Sequence, residues 1–356
     1  MTEPGTGERR RPWRGWGRFQ EAGLVAVIVL VGAILTLFGG QVRRRDPATG
    51  QVQRVNRFLQ LDNLDALMKD TSFFAIMAVG ATLVIISGGI DLSVGSVYCL
   101  SAVAGAMFLH HFGPRGAGAA VGGAWVVPSA IALCLAVGAA CGLLNGLMVV
   151  GLRLHPFIVT LGTMGAFRGV AFVMTKAQSY THFPAAFTDG LIRYKVGALY
   201  PVPMAVMVLV TVGGAFVLAL TPFGRHVYAV GGNAEASRLS GLRVRRIRVG
   251  VFTLAGLTAG VAATIMLGYY GSGSSAAGKG YELEVIAACV VGGASLSGGR
   301  GTALGALLGA LLIRMIDRGI IILGIDQNYS LIIIGGVIIA AAALDRLSTA
   351  MRARGR

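Results

Sequence analysis

The sequence predicts an all-α polytopic membrane protein with about ten transmembrane helices, some of them short or broken, and with the N- and C-termini in the cytoplasm. Three observations predict this class. Hydrophobic residues make up 55% of the 356 residues, charged residues only 13%, and the mean hydropathy is +0.73. Apolar runs recur along the whole chain. The basic residues lie mainly between those runs, where topology and lipid headgroups account for them.

Three parts follow from this pattern. We expect residues 1–20 to form a basic cytoplasmic segment, 21–345 to form the transmembrane domain, and 346–356 to form a basic cytoplasmic tail. The first apolar stretch is of membrane length and is not followed by a convincing cleavage site, so it is predicted to remain as an uncleaved span. The candidate spans lie near residues 22–40, 71–88, 92–111, 125–150, 156–175, 203–220, 249–270, 284–298, 302–316 and 329–344.

The loop after the first span is long and basic. Placing it outside the cytoplasm goes against the positive-inside rule, because residues 43–54 alone carry four arginines. Within its second half, apolar residues from Phe58 to Met68 recur at helical spacing, which predicts a helix lying on the membrane surface.

A carboxylate interrupts the apolar sequence at residues 88–96, GGIDLSVGS. A charged side chain at this depth costs roughly 2.5–3.5 kcal/mol on insertion scales, so Asp91 is expected to face protein, water or a functional path. The alternative is a capping role, with Ser93 as a second local cap. Both interpretations of Asp91 stay open at this point.

Residues 145–169 contain a second group of polar side chains. Thr160 and Thr163 are three residues apart and share a helix face, and Phe167 follows four residues after Thr163. Hydroxyl groups beside an aromatic ring suit a polyhydroxylated solute, although threonine hydroxyls also bond locally in membrane helices. The candidate path residues are Asp91, Ser93, Asn145, Phe157, Thr160, Thr163 and Phe167.

Residues 221–248 form the longest polar stretch assigned to the cytoplasm, and we call them the 221–248 segment. Pro222 and Gly224 predict a turn, and Asn233 after two glycines predicts the start of a short helix that ends at Gly241. Such a helix between two spans could act as a lever for a soluble partner. An ordinary basic loop that only sets topology is the alternative.

The sequence gives little support for nucleotide binding, catalysis, metal binding or nucleic-acid binding. The stretch 273–279 fits GxxxxGK, but Gly280 replaces the Ser or Thr that would hold Mg²⁺, and no strand precedes it. The four cysteines lack CxxC spacing and the five histidines lack HExxH spacing, so we expect no catalytic residues, no metal and no cofactor. The net charge of +16 comes without an aromatic-interleaved basic domain, which argues against nucleic acid.

Glycines recur at four-residue spacing in several spans. Such faces allow close helix approach in lipid, either within one chain or between two copies. The sequence leaves these two cases open. The glycines are Gly138, Gly142 and Gly146, then Gly256 and Gly260, then Gly301, Gly305 and Gly309.

Taken together, four ordered stretches resemble the permease subunits of bacterial ABC importers for simple sugars of the ribose, xylose and galactose type. The resemblance covers nearly the whole chain from about residue 58. Its stretches are GGIDLSVGS (88–96), NG-x(5)-LRLHPFIVTLGTMGAFRG (145–169), FGRHVYAVGGNAEASRLSGLRV (223–244) and GKGYELEVIAACVVGGASLSGGRGT (278–302), and the closing apolar run adds to them.

The resemblance implies a transport subunit that hydrolyses nothing itself and sits in the bacterial plasma (inner) membrane. Its expected partners are an ABC ATPase subunit, an extracytoplasmic sugar-binding protein, a second permease copy (identical or a paralogue) and membrane lipid. It places Asp91 and Ser93 at a structural break near the path or the cytoplasmic gate. The residues that it assigns to ATPase coupling are Gly231, Gly232, Asn233, Glu235, Ala236 and Arg238.

Two alternatives remain. Importers for branched-chain amino acids or nucleosides share the general plan, and GGIDLSVG favours sugars over them. An ion-coupled secondary transporter would need coupling groups near its spans, for which only Asp91, Glu282, Glu284 and Asp317 are candidates. The chain also departs from the family in its 43–54 insertion, which is expected to affect docking of the binding protein, and in its long cationic N-terminus.

Overall fold

The computed structural model describes residues 16–45, 52–197, 199–337, 339–340 and 343. These residues are mostly helical, and residues 329–337 form a last helical stretch. The helices with printed bounds are α1 (Trp16–Phe38), α2 (Leu61–Ile86), α3 (Val94–His111), α4 (Val126–Gly151), α5 (Pro156–Thr175), α6 (Ala185–Phe187), α7 (Pro201–Leu220), α8 (Pro222–Gly232), α9 (Ala234–Leu239), α10 (Val244–Tyr270), α11 (Tyr281–Val291) and α12 (Ala303–Ile322).

Seven of the described helices are long and apolar enough to cross a membrane, namely α1, α2, α3, α4, α5, α7 and α10. The helical membrane class is therefore confirmed, while the count of about ten spans stays a prediction. Helix α12 is long enough to cross a membrane but carries Arg314, Asp317 and Arg318 in its C-terminal half. Helix α11 has only 11 residues.

Helix α2 forms the centre of the bundle. Of its apolar window, 94% is buried, against 11% for α1 at the periphery. Its neighbours are α10, α12, α7 and α11. Because residues 73–86 of α2 are almost entirely apolar and are enclosed by other helices, this part of α2 is the core of the bundle and does not face lipid.

The glycine faces pack helices within this one chain. A Cβ atom added at Gly138 or Gly142 of α4 would overlap the backbone of Gly256 or Phe252 in α10. The same holds for Gly305 and Gly309 of α12, which lie against the end of α11. These contacts within one chain account for the glycine spacing without a second copy of the chain.

The basic loop after α1 forms a β-hairpin. Strands β1 (Gln41–Arg45) and β2 (Val52–Asn56) are antiparallel, with Arg43 opposite Arg54. The tip of the 43–54 insertion, residues 46–51, lies outside the described residues.

The prediction of a separate surface helix at 58–68 is wrong. From Leu61 onwards this stretch forms the first turns of α2. Phe58 and Leu67 are buried against Leu35 of α1 and Met315 of α12, so their helical spacing reflects packing inside the protein. The stretch packs against α1 and α12 and continues directly into the core part of α2.

The region predicted as a span at 284–298 is broken. Strand β4 (Ser272–Gly273) follows α10 and pairs with β3 (Tyr180–Thr181), and residues 274–280 then lead without helix into α11. Helix α11 ends at Val291, because glycines with left-handed backbone angles follow it and turn the chain. These glycines are Gly293, Gly298, Gly299 and Gly301.

The predicted terminal segments fall largely outside the described residues. Residues 1–15 and 344–356, and with them the predicted 346–356 tail, are not described. Helix α1 begins at Trp16, within the predicted 1–20 segment.

Candidate functional site

The break between α2 and α3, residues 87–93, is organised by Asp91. Its carboxylate is buried, and its Oδ1 atom accepts hydrogen bonds from the backbone N–H of Ser93 at 2.8 Å and from the Ser93 hydroxyl at 2.6 Å. Asp91 therefore closes a local turn that sets the start of α3. These bonds stop at Ser93, the residue before α3, and the Ser93 side chain makes no capping hydrogen bond to the helix, so the predicted capping by Ser93 is wrong.

The break is tied to α4 through Asn145. The Asn145 amide donates a hydrogen bond from Nδ2 to the Ser93 hydroxyl at 2.7 Å, and both side chains are fully buried. The Asn145 Oδ1 atom has no hydrogen-bond partner among the described residues. Asp91, Ser93 and Asn145 thus form one buried polar chain across two helices.

Helix α5 is tied to the same break by Thr160. Its Oγ1 atom accepts from the Leu92 N–H at 3.1 Å, and the hydroxyl hydrogen is directed to the carbonyls of Pro156 at 3.0 Å and Ile90 at 3.2 Å. The Thr163 hydroxyl bonds the Thr160 carbonyl at 3.3 Å. The predicted hydroxyl face therefore lies against the break and is satisfied inside the protein.

The structure brings together most of the candidate path residues. Asp91, Ser93, Asn145 and Thr160 form the cluster, and Thr163 and Phe167 continue along the buried face of α5. Phe157 does not join this buried group, because its side chain is 42% exposed. The predicted shared face of Thr160, Thr163 and Phe167 is the buried face of α5.

We expect Thr160→Val to lower the thermal stability of the detergent-solubilised protein. Valine keeps the shape but leaves the Leu92 N–H without its acceptor, at a cost of about 1–3 kcal/mol. The matched control is Thr160→Ser, which keeps the hydroxyl. A Thr160→Val protein that melts at the wild-type temperature would show that this hydrogen bond does not hold α5 to the break.

The 221–248 segment begins with a helix and not with the predicted turn. Pro222 occupies the first position of α8, where its missing N–H costs nothing, and the Thr221 hydroxyl accepts from the Gly224 N–H at 3.1 Å. Proline and glycine are common in turns, but the capping threonine before them favours a helix here.

The short helix predicted after the two glycines is confirmed as α9. Asn233 caps it by accepting from the Ala236 N–H at 2.9 Å, and Gly241 follows with φ +83°. Glu235 and Arg238 pair on its surface, with Nη2 and Oε1 2.5 Å apart, and their side chains stay 66% and 65% exposed. The hydrogen bond from Arg238 lowers the pKa of Glu235, so this carboxylate is ionised at neutral pH.

The end of α8 lies directly on the end of α2. A Cβ atom at Gly231 would overlap the Ile86 carbonyl oxygen and lie 2.6 Å from the Gly299 nitrogen. The Gly299 N–H itself donates to that carbonyl at 2.8 Å, and the Tyr228 hydroxyl donates to the Gly301 carbonyl at 2.7 Å. The end of α8 is therefore in direct backbone contact with Ile86, the residue that precedes the break.

The sequence did not indicate the partners of Arg168, a partly buried cation. Arg168 of α5 pairs with Glu282 of α11 at 3.3 Å, and it donates to the carbonyls of Ala277 at 2.5 Å and Gly278 at 3.0 Å. The sequence marked Arg168 only as a polar group. A lone arginine in an apolar run needs such partners, and that requirement was the available signal.

The other acidic candidates for ion coupling are paired with arginines. Glu284 and Asp317 both bond Arg314, and Glu282 bonds Arg168. Among the described residues, no group of three or more His, Cys, Asp and Glu side chains is placed to hold a metal ion. All four cysteines are buried and free, as expected for small packing residues.

Comparison with known families identifies the class of protein. The family profile described as "Branched-chain amino acid transport system / permease component" matches residues 63–342, which include both the α2–α3 break and the 221–248 segment. The chain belongs to this permease family. The permease is a multi-pass protein of the bacterial inner membrane and a transport subunit, not an enzyme, as the sequence predicted.

Relatives of the permease include several sugar import permeases. The ribose import permease of Escherichia coli K12 is 36% identical over 349 residues, which cover 97% of this chain and 99% of the relative. That of Bacillus subtilis 168 is 38% identical over 293 residues, 82% and 87% of the two chains. The D-allose transport system permease of Escherichia coli K12 is 34% identical over 290 residues, 82% and 85%. No solved structure matches the permease.

Proposed function

We propose that this permease is the membrane subunit of an ATP-driven ABC importer for a simple sugar or related polyol, and that ATP is hydrolysed on a partner chain. The observation that carries the proposal is the contact of Gly231 with Ile86, which joins α8 and the exposed helix α9 to the buried polar break. Sugar import in the names of the relatives supports the solute class.

The proposed topology has ten crossings with both termini in the cytoplasm. Seven crossings are the helices named above; the others are the broken stretch 271–291, α12 and the last helical stretch from 329. This arrangement places the 221–248 segment and its cluster of arginines on the cytoplasmic side, in accord with the positive-inside rule. The β1–β2 hairpin then lies on the outer face, and the 21–345 domain begins on the cytoplasmic side of α1.

In this proposal, the ATPase docks on the exposed face of α9 and the residues just before it. Gly232, Asn233, Glu235, Ala236 and Arg238 are all exposed. A push on α9 moves α8, and Gly231 passes the displacement to the end of α2 because there is no side chain between them. Closure of the ATPase would bias the break between outward- and inward-open arrangements.

The polar cluster at the break is proposed to shape the cytoplasmic end of the path. Its hydroxyl and amide groups bond one another, and so they hold α3, α4 and α5 in register more than they offer binding groups to a solute. Thr163 and Phe167 line the same face of α5 further along.

The remaining partners are proposed by the same reasoning. An extracytoplasmic sugar-binding protein would deliver the solute on the hairpin side, and a second permease copy, identical or a paralogue, would complete the path within membrane lipid. Helix α5 offers a face for the second copy, with Val173 79% exposed and open space beside Gly162, Gly165 and Gly169. Nothing in the proposal involves nucleic acid.

A branched-chain amino acid importer is the second candidate, since the family description names that solute class. The two are separated by purifying the complex with its ATPase and binding protein in liposomes and measuring solute-stimulated ATP hydrolysis. Stimulation by a monosaccharide supports the sugar proposal. Stimulation by leucine or valine but by no sugar overturns the solute class and keeps the importer.

We expect Glu235→Arg to abolish ATP-driven uptake while leaving membrane insertion intact. The change places two like charges on an exposed helix face and removes the only acid of α9. Uptake and membrane content are measured in the same cells.

The control for this variant is the charge swap Glu235→Arg with Arg238→Glu, which restores the pair within α9. If the swap also lacks uptake, uptake depends on the positions of the two charges on the docking surface and not on the ion pair within α9. If the single variant transports at the wild-type rate, the assignment of α9 to ATPase coupling is wrong.

A further inference from the structure

The GxxxxGK stretch at 273–279 coincides with the non-helical residues 274–280 that precede α11. These residues lie deep in the bundle. The Gly278 carbonyl is held by Arg168 near the middle of α5, and the Tyr281 ring packs on Phe74 near the middle of α2, with centroids 4.4 Å apart. Two separate helices thus place the segment at about half the depth of the bundle.

Arg168 and Cys99 fix this segment in its irregular form. The guanidinium donates to the carbonyls of Ser275, Ala277 and Gly278, and the Cys99 thiol donates to the Ser275 carbonyl at 3.3 Å. Gly278 has φ +68°, and a Cβ there would lie 2.7 Å from the Tyr98 ring. Non-helical backbone at membrane depth occurs only where it is buried in protein or lines a water-filled cavity.

The surroundings of Lys279 indicate whether this backbone is buried in protein or lines a water-filled cavity. Its side chain is exposed, and it forms no ion pair or hydrogen bond with any other residue that the structure describes. The acidic residue of the next turn, Glu282, is already engaged by Arg168. An unpaired ammonium group at this depth does not face hydrocarbon, so the surface it occupies is in contact with water.

We propose that Lys279 lines the solute path at mid-membrane and donates hydrogen bonds to the hydroxyl oxygens of a passing polyhydroxylated solute. Residues 274–280 form one wall of the path, and Arg168 keeps this wall rigid by occupying its carbonyl groups. This inference rests on the proposed sugar importer and adds to it a residue that contacts the solute. Lys279 is not part of the polar cluster at the α2–α3 break, although Gly278 of the same wall lies against Gly95 in the first turn of α3.

The first test is labelling of Lys279→Cys by a charged, membrane-impermeant thiosulfonate in the assembled importer. The matched control is Leu209→Cys, near the middle of α7 and 70% exposed on an apolar face. The native cysteines are buried, so the wild type gives the background. We expect rapid labelling at 279, slowed at least threefold by the transported sugar, and none at 209. No labelling at 279, equal labelling at both positions, or labelling that sugar leaves unchanged overturns the proposal.

The second test compares Lys279→Met with Lys279→Arg in uptake. We expect methionine to raise the KM for the sugar about tenfold at similar protein content, and arginine, which also donates hydrogen bonds, to stay within about threefold of wild type. An unchanged KM for Lys279→Met contradicts a solute contact. Sugar-stimulated ATP hydrolysis by the wild-type complex is measured in parallel, so that a failure of the importer proposal is seen separately from a failure at Lys279.

Discussion

Alanine at position 231 is expected to stop ATP-driven sugar uptake, whereas alanine at position 232 should leave uptake close to wild type. The two glycines are neighbours at the end of α8, so helix propensity and membrane context are matched. They differ in surroundings: a Cβ at Gly231 meets the Ile86 carbonyl and the Gly299 nitrogen, while a Cβ at Gly232 meets nothing within 4 Å. The Ile86 oxygen and the Gly299 nitrogen are backbone atoms, so neither can move out of the way as the end of a flexible side chain could.

The size of the effect follows from the position of this contact. Gly231→Ala forces α8 away from the end of α2 and from the 298–301 turn, which separates the proposed ATPase docking surface from the break. We expect uptake to fall at least tenfold, with ATP hydrolysis by the complex continuing but no longer stimulated by solute. Equal uptake for the two alanine variants would show that this contact does not carry the coupling.

The second large effect is expected for Asp91→Ala, which should lower both the amount of folded protein in the membrane and its uptake. Oδ1 of Asp91 accepts two hydrogen bonds from Ser93, and Ser93 in turn holds Asn145. Alanine removes this acceptor from a site where the side chain is only 5% exposed. Each buried donor left unpaired costs about 1–3 kcal/mol.

Asp91→Asn is the informative control for this position. The asparagine Oδ1 can accept the same two hydrogen bonds, so the geometry of the break is kept while the charge is lost. We expect Asp91→Asn to insert normally and to retain most of the uptake. Normal insertion without uptake would instead assign the charge itself a role in transport. Wild-type folding and uptake for Asp91→Ala would make the turn at the break dispensable.

Structure that depends on neighbouring residues could be predicted from the sequence. The short helix after Asn233 could be predicted because a capping side chain, helix-forming residues and a closing glycine follow one another within a few positions. The shared face of Thr160, Thr163 and Phe167 followed from helical spacing in the same way. In both cases the information lies within three turns of helix.

Contacts between distant parts of the chain were not predictable. Nothing near Gly231 in the sequence indicates that Ile86 lies against it, and nothing near Thr160 indicates that it accepts from Leu92. The spacing of Phe58 and Leu67 suggested a surface helix because sequence alone does not say whether an apolar stripe faces lipid or protein. The hairpin was missed because charged, non-alternating strands give a weak pattern.

The most direct test of the importer proposal is capture of the partner of α9 in native membranes. A photocrosslinking amino acid at Ala236, which is exposed on α9, is activated in the cell, and the captured proteins are identified by mass spectrometry after mild-detergent purification. The account predicts that a nucleotide-binding ATPase is crosslinked at this position. Repeated recovery of the chain without an ATPase, together with sugar movement by the purified chain in liposomes without ATP, would contradict it in favour of a secondary transporter or channel.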